Sequence, residues 1–471
     1  VKNTIPFVTD LDHTLIQTDC FQEALITFAK NRPFELWKLF FWMFQGKARL
    51  KFNVFSQVNI DINHFPIQKE TLHLCKQAHA EGKPVIVATA TLQTTANVLK
   101  ERFPWISEVI GSTETINLTG QKKADALIAR FGSKGYDFIS DHKRDFEAWE
   151  HCNQGYFIGT KKPSWLKKIS SPIEYISIKR NSVDRILKMM RPTQWVKNGL
   201  IFVPALMNHQ FFDLELWQLL GLSALAFCAT ASFVYILNDL LDMSSDRLHH
   251  SKRLRPLAAG EISIPLGLSL AFGLLFVALG LGISVSERLL IAILGYIGLN
   301  TLYSFYLKKI PIIDVFVLSS FYIIRLLMGG WIGQVALSNW LLAFSFFLFL
   351  SLGILKRYSE LTILAKDGKL SAKGRGYHID DQMVLFTLGS VSGITTAVIL
   401  GLYIDQTRFL NLYTHPSWLW GIVALLMFWM MHVWFQAHRG RIKDDPVKLV
   451  FTDPTTLIIG LLSALLFVAA L

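Results

Sequence analysis

Charge is scarce in this 471-residue sequence: 17% of residues are Asp, Glu, Lys or Arg, against 52% apolar. The scarcity is uneven. Roughly the first 190 residues read as a water-soluble region, and the remainder breaks into long apolar runs that read as membrane segments. Acid is scarcer than base, 35 Asp and Glu against 47 Lys and Arg, for a net charge of +12. The surplus cations sit beside apolar segments. That placement excludes nucleic acid as the expected partner and favours anionic membrane lipids. Cysteine is rare as well. Cys20, Cys75, Cys152 and Cys228 are scattered without metal-ligand spacing and read as reduced packing residues. No signal-peptide pattern precedes the first apolar strand, so the N-terminal region is expected in the cytoplasm.

What is present centres on Asn238-Asp239-Leu240-Leu241-Asp242-Met243-Ser244-Ser245-Asp246, which closes an apolar run. On a helix its spacings bring Asp239, Asp242 and Asp246 to one face. Three carboxylates together repel one another unless a cation lies between them, and hard oxygen ligands suit Mg²⁺ shared with substrate phosphates. A solvated acidic helix end is the bland alternative. The pattern resembles the UbiA superfamily of membrane transferases. That resemblance implies Mg²⁺ and a diphosphate held at the cytoplasmic mouth of a helical bundle, over about 280 residues.

A second set of carboxylates lies near the N-terminus. The apolar run Ile5–Thr9 reads as a buried strand ending in Asp10-Leu11-Asp12-His13-Thr14. Two carboxylates one residue apart can divide labour, one attacking phosphorus and one moving protons. A second strand, Pro84–Ala88, ends in Thr89, a hydroxyl placed for phosphate. Lys123 opens a helical pattern, and a third strand, Tyr136–Ser140, leads to Asp141 and Asp145, which suit Mg²⁺. Strands alternating with helices predict a parallel sheet with its site at the strands' carboxyl ends. This set resembles the haloacid dehalogenase superfamily over about 160 residues. The resemblance implies Asp10 as nucleophile and Asp12 as acid/base, both at the metal with Asp141. It also implies Thr89 and Lys123 as phosphate binders, with Lys122 an open alternative to Lys123.

The expected fold is an α/β Rossmann-like (haloacid dehalogenase-like) domain over 1–160 with a helical cap at about 20–80. A basic linker and interfacial helix follow over 161–190, then an all-α nine-helix transmembrane bundle over 191–471. Within the cap, the eleven residues Phe34–Phe44 are too short to span a bilayer. They read either as a buried cap helix or as a helix lying in the membrane interface. Apolar segments fall at about 198–211, 216–237, 264–283, 289–307, 311–333, 340–355, 383–404, 417–435 and 455–471. The first is the weakest, being short and interrupted by Pro204. One set of loops carries Arg247, Lys252, Arg253 and Arg255, then Lys308 and Lys309. It continues with Lys356, Arg357, Lys366, Lys369, Lys373 and Arg375, and ends with Arg439, Arg441, Lys443 and Lys448. The other set has little beyond Arg288 and Arg408. The asymmetry predicts a multi-pass protein of the cell (inner) membrane with the first set cytoplasmic.

Most UbiA-type enzymes carry a second Asp-rich motif after the sixth helix, whereas here that loop starts Lys356-Arg357-Tyr358 and continues to Arg375. Cations in that place suggest a second phosphate-bearing substrate. With Arg191-Pro192-Thr193-Gln194-Trp195-Val196-Lys197-Asn198, Tyr303, Asp314 and Arg325, the chain resembles the decaprenyl-phosphate phosphoribosyltransferase branch. The resemblance implies transfer of 5-phosphoribose from phosphoribosyl pyrophosphate to a polyprenyl phosphate. Arg191, Lys197, Asn198, Asn238, Tyr303, Lys308, Arg325, Lys356, Arg357 and Arg375 are the expected substrate-binding residues. Three alternatives stay open. Lys308 reads equally as a topology marker, Tyr303 as an interface aromatic, and Arg325 as the partner of a structural carboxylate. A UbiA-type aromatic prenyltransferase using a polyprenyl diphosphate is the rival activity, and a transporter-like bundle with a regulatory domain the rival class. Prenyl chain length, oligomeric state and the phosphatase substrate are not legible in the sequence.

Overall fold

The computed structural model describes residues 4–180, 182–366, 368, 375–407, 413–442 and 452–471. Lys369, Lys373, Arg408, Lys443 and Lys448, counted among the loop charges, lie outside the described residues. Two compact units result: Val1–Pro192 with Ser232–Gly273, and Thr193–Ala231 with Leu274–Leu471.

The first unit is built around β1 (Phe7–Thr9), three buried residues flanked by strands on both sides. Its faces alternate with period two. Phe7 joins one core with Val85 and Val87, and Val8 joins the other with Ile86, Ala88 and Phe138. With β2 (Val85–Leu92), β3 (Ile106–Ser112), β4 (Asp137–Ser140), β5 (Gly155–Gly159) and β6 (Ile173–Ser177), the order is β3-β2-β1-β4-β5-β6. All neighbouring pairs are parallel. Chain order reverses at β1, which opens a crevice at the strands' carboxyl ends.

Two expectations are corrected here. β2 does not stop at Ala88 but runs to Leu92, because its register against β3 slips between Ala88 and Leu92. Such a bulge re-aims side chains beside a site. The stretch 161–190 is not simply a linker either. It supplies β6, where Tyr175 stacks on Phe157 of β5 at 6.2 Å, and its last part, Val183–Met190, is a helix.

Between β1 and β2 lie α1 (Cys20–Asn31), α2 (Trp37–Phe44), α3 (Lys47–Gln57) and α4 (Lys69–Ala80). Asp19 caps α1 by accepting from the Gln22 amide at 2.9 Å. No residue of α2 is buried, so the buried-helix reading of Phe34–Phe44 does not hold. Nor is the break at residue 190 clean, because Ser232–Gly273 packs with the N-terminal unit. The cause is visible at Arg247. Its guanidinium lies 2.5 Å from Glu23 on α1, with both side chains buried, 4.8 Å from the Phe65 ring and 2.9 Å from the Ala258 carbonyl.

Among the described residues seven helices are long and apolar enough to cross a membrane, rather than nine. They are Leu214–Leu241, Ile264–Val285, Glu287–Lys309, Ile313–Gly333, Asn339–Lys366, Ile379–Gln406 and Pro416–His438. A further apolar helix, Pro454–Ala470, has 17 residues. The segment expected at 198–211 is instead a 3-10 run, Pro192–Phe202, followed by the short helix Val203–Met207.

In the second unit this irregular run meets a helix without room for a side chain. A Cβ on Gly329 would fall 2.1 Å from the Ile201 carbonyl oxygen. Gly329→Ala must therefore push backbone from backbone, at a cost of about 1–3 kcal/mol. The expected result is a lowered unfolding temperature of the detergent-solubilised protein, and an unchanged one would show that the contact relaxes freely.

Candidate functional site

The first site forms where β1, β2 and β4 end. Asp10 follows β1 directly, and its Oδ1 accepts from the Leu11 amide at 2.8 Å. Lys123, near the start of α5 (Gln121–Phe131), is buried with its ammonium 3.1 Å from Asp10 and 3.0 Å from Asp145. Burial opposes that charge, but the two carboxylates more than offset it and raise the lysine's pKa. Lys122 has no such position; it is exposed. Asp12 is held by the Cys20 amide at 2.8 Å and the Thr91 hydroxyl at 3.0 Å. Asp141 accepts from the Thr14 hydroxyl at 3.4 Å.

This cluster has more negative charge than it can hold. Burial pushes Asp10 well above the ordinary carboxylate range and raises Asp12 as well. It raises Asp141 to about 7, with Asp145 adding to the effect. Hard oxygen donors with surplus negative charge suit a divalent cation, and Asp10, Asp12 and Asp141 are the candidates to hold it, although among the described residues no three His, Cys, Asp or Glu side chains already converge as a metal site. Asp145 is engaged otherwise, accepting from Lys123 and from the Ser140 hydroxyl at 2.6 Å.

Thr89 is fully buried, and its hydroxyl accepts from the Thr91 amide at 3.0 Å. Thr91, two residues further along the same strand, is the hydroxyl that reaches Asp12. The period of two made it readable, but ending the strand at Ala88 hid it. Lys51 on α3 is a second residue that sequence reasoning missed. It donates to the Ala90 carbonyl at 2.9 Å, and burial lowers its pKa against the pull of Asp12, Asp19 and Asp10. Nothing local marks a cap lysine as part of a site on another element.

The second site spans the last turn of the helix Leu214–Leu241 and the segment that follows it. Asp239 and Asp246, both buried, share one guanidinium: Arg255 Nη1 lies 3.0 Å from the first and 2.6 Å from the second. Arg191, at the carboxyl end of Val183–Met190, also donates to Asp239. Asp242 is drawn to Lys30 of α1 at 2.9 Å. The three carboxylates thus do not form one cluster as expected. The helix stops at Leu241 and restarts as Met243–Arg247, with Asp242 between them at φ −101° and ψ 6°. Among the described residues no three His, Cys, Asp or Glu side chains converge as a metal site. Two carboxylates are nonetheless what Mg²⁺ usually takes from protein when phosphates complete its shell. Asp239 and Asp246 fit that role, while Asp242 does not join them. Asn238 is half-buried one residue earlier. Arg255, a loop charge by sequence, is thus the residue that joins the two carboxylates.

A third cluster lies in the second unit. Asp314, fully buried at the start of Ile313–Gly333, accepts from Tyr303 at 2.7 Å and from Arg357 Nη2 at 3.1 Å. Arg357 Nε also donates to Asp314, and its Nη1 reaches Glu360 at 2.9 Å. Protein groups therefore occupy Arg357 and Tyr303. Arg375 lies 3.6 Å from Glu360 and 3.9 Å from Asp314, and its buried Nη1 has no hydrogen-bond partner. Arg325 is buried and donates to Asn198 at 2.8 Å and to Tyr296 at 2.9 Å. Lys197 lies 5.4 Å from the Tyr322 ring centroid, and Lys308 and Lys356 are half-buried.

Comparison with known proteins adds the following. A sequence profile described as the UbiA prenyltransferase family matches residues 201–452. Protein y4nM of Sinorhizobium fredii is 29% identical over 99% of this chain and 91% of its own. Nodulation protein NoeC of Azorhizobium caulinodans is 34% identical over 59% of this chain and 91% of its own. The decaprenyl-phosphate phosphoribosyltransferase of Corynebacterium glutamicum is 30% identical over 48% of this chain and 70% of its own. A solved UbiA homolog of Archaeoglobus fulgidus, bound to GPP and Mg²⁺, covers 61% of this chain and 98% of its own at 19% identity and a TM-score of 0.45. A hydrolase of the haloacid dehalogenase family from Salmonella enterica covers 36% of this chain and 68% of its own at 17% identity and a TM-score of 0.27.

The turn that carries the first site has a pH signature of its own. His13 is left-handed (φ 57°), and Arg180 lies 2.9 Å from its Nδ1. Burial, with Arg180 adding to it, lowers its pKa from 6.5 to about 4. The folded value is the depressed one. Its stability contribution is therefore complete above pH 6.5 and is lost as pH falls from 6.5 towards 4, where only the unfolded chain takes up the proton. In His13→Asn, a residue that tolerates this backbone, that acid sensitivity should flatten. Hydrogen–deuterium exchange of β1 and β4 across the window measures it, and equal losses in both proteins would assign the effect elsewhere.

Proposed function

Because this chain belongs to the UbiA prenyltransferase family, we propose that it moves 5-phosphoribose from phosphoribosyl pyrophosphate to a polyprenyl phosphate. We propose further that its N-terminal unit then removes the 5-phosphate from the lipid product. The observation that carries the reading is the pair Asp239 and Asp246, two buried carboxylates converging on a single cation at the end of an apolar helix. The relative named decaprenyl-phosphate phosphoribosyltransferase supports this choice of substrates. Seven apolar helices among the described residues, with the family, make the protein an integral membrane enzyme. The loop cations favour a cytoplasmic N-terminal unit.

In the transfer, a lipid phosphate oxygen forms a bond to C1 of ribose while the C1–oxygen bond to pyrophosphate breaks. The nucleophile is already an anion, so no strong general base is needed. When bound at Asp239 and Asp246, Mg²⁺ would neutralise the departing pyrophosphate. Arg191 and Arg255, now spent on these carboxylates, would be released to the substrate's phosphates as the cation takes their place. Within the second unit, Lys197, Lys308, Lys356 and Arg375 are the remaining candidates for binding phosphate.

In the hydrolysis, Asp10 attacks the phosphorus and the ester bond to the sugar oxygen breaks. Asp12 gives that oxygen its proton. The same carboxylate then takes a proton from the water that splits the aspartyl-phosphate. Lys123 holds charge beside Asp10 throughout, and Thr91 fixes the orientation of Asp12.

Membranes containing the protein, given labelled phosphoribosyl pyrophosphate and polyprenyl phosphate, should yield a labelled lipid. Asp239→Asn should lower that rate at least about a hundredfold and weaken the apparent Mg²⁺ affinity. Wild-type turnover in this variant would remove the metal assignment, and a product formed only from a polyprenyl diphosphate and an aromatic acceptor would favour prenyl transfer instead. Asp10→Asn should stop at the 5-phosphorylated lipid, whereas wild type releases inorganic phosphate and leaves polyprenyl-phosphoryl ribose. If both stop at the same phosphorylated lipid, the N-terminal unit acts on another substrate.

A further inference from the structure

The cap carries an apolar surface that neither site uses. On α2, Leu39 and Trp42 turn inward, with Trp42 5.7 Å from Phe28 of α1. The other face is bare: Trp37 is 60% exposed and Phe44 73%, with Phe40 and Phe41 beside them, and Phe34 just before the helix is 85% exposed. These rings meet one another, Trp37 with Phe41 at 5.7 Å and Phe40 with Phe44 at 4.8 Å. A contiguous aromatic face of this kind marks an interaction surface.

Two observations identify what covers it. From Arg32 to Arg49 the chain has four cations (Arg32, Lys38, Lys47, Arg49) and one carboxylate, Glu35, which pairs with Arg32 and Lys38. A rim of like charge disfavours a second copy of the same face and favours an anionic partner. The position of the helix supplies the second. Lys30, seven residues before Trp37, lies 2.9 Å from Asp242, and Asp242 directly follows the membrane-crossing helix Leu214–Leu241. Both residues belong to the same compact unit. The start of α2 is thereby tied to the level at which a crossing helix leaves the hydrocarbon. At eight residues α2 is too short to cross and suited to lying in the interface.

We propose that α2 is an interfacial membrane helix whose Trp37, Phe40, Phe41 and Phe44 insert among anionic lipid headgroups at the membrane face where Asp242 lies. The cap is thereby moored to the bilayer at a second place besides the crossing helices. This deepens the reading of the N-terminal unit as a lipid-directed phosphatase, because a moored cap holds Lys51 and the Asp10 crevice near lipid headgroups. The location of α2 does not depend on that activity.

The test uses the full chain in vesicles of phosphatidylcholine and phosphatidylglycerol. A nitroxide is attached at Phe40→Cys and, in a second protein, at Lys76→Cys on the exposed face of α4. The parent chain, treated alike, gives the blank. At Phe40→Cys, collision with oxygen should exceed collision with a water-soluble nickel complex, and at Lys76→Cys the order should reverse. Nickel preference at both positions overturns the proposal. So does spin–spin broadening at Phe40→Cys that disappears on dilution with unlabelled chain, which would identify a second copy as the occupant. As a functional readout, Phe40→Glu with Phe44→Glu should lower phosphate release from the bilayer-embedded 5-phosphorylated lipid about tenfold. Hydrolysis of a small soluble phosphoester should be unchanged. Oxygen preference at Phe40→Cys together with no lipid phosphatase activity in wild type would keep the interfacial helix and remove the phosphatase reading.

Discussion

Lys123 stands between Asp10 and Asp145 with no solvent to share the work, its ammonium 3.1 and 3.0 Å from the two carboxylates. Remove that ammonium and the buried carboxylates at the ends of β1 and β4 would have to take up protons or move apart. The same constraint recurs through the chain. Arg255 joins Asp239 to Asp246, Arg357 joins Asp314 to Glu360, and Arg247 answers Glu23. In each case a fixed cation sets where carboxylate oxygens point. Where fixed cations fall short, as around Asp10, Asp12 and Asp141, burial and neighbouring carboxylates raise the pKa values instead.

The pair Glu23–Arg247 also explains why 232–273 packs with the sheet and cap. A buried ion pair adds little stability on its own, but separating it leaves two uncompensated charges, typically a loss of about 3–5 kcal/mol. It therefore acts as a registration device for α1 against the segment that carries Asp239, Asp242 and Asp246. Lys30, two turns further along α1, reaches Asp242 in the same way. The parallel sheet and the acidic segment Asp239–Asp246 thus share one compact unit.

The parts legible in the sequence are those whose cause is local. Asp10, Asp12 and Lys123 sit beside apolar strand and helix patterns, and tertiary structure gathers them where those patterns end. Thr91 escaped because the bulge at Ala88–Leu92 is set by pairing with β3, not by the run Val85–Leu92 itself. β6 was hidden among lysines, since an edge strand needs only alternate apolar residues. The helix break at Asp242 was invisible to a spacing argument that assumes a continuous helix.

The sequence by itself determined the apolar runs, their lengths, the loop charges and which residue types could do phosphate chemistry. Tertiary structure decided which cation meets which carboxylate. Glu23 with Arg247 and Lys30 with Asp242 are pairs more than two hundred residues apart, and no local pattern encodes them. It also decided that the aromatic face of α2 points outward, because this mostly apolar stretch of eight residues forms a helix in either setting and only the packing of Leu39 and Trp42 fixes which side is left bare.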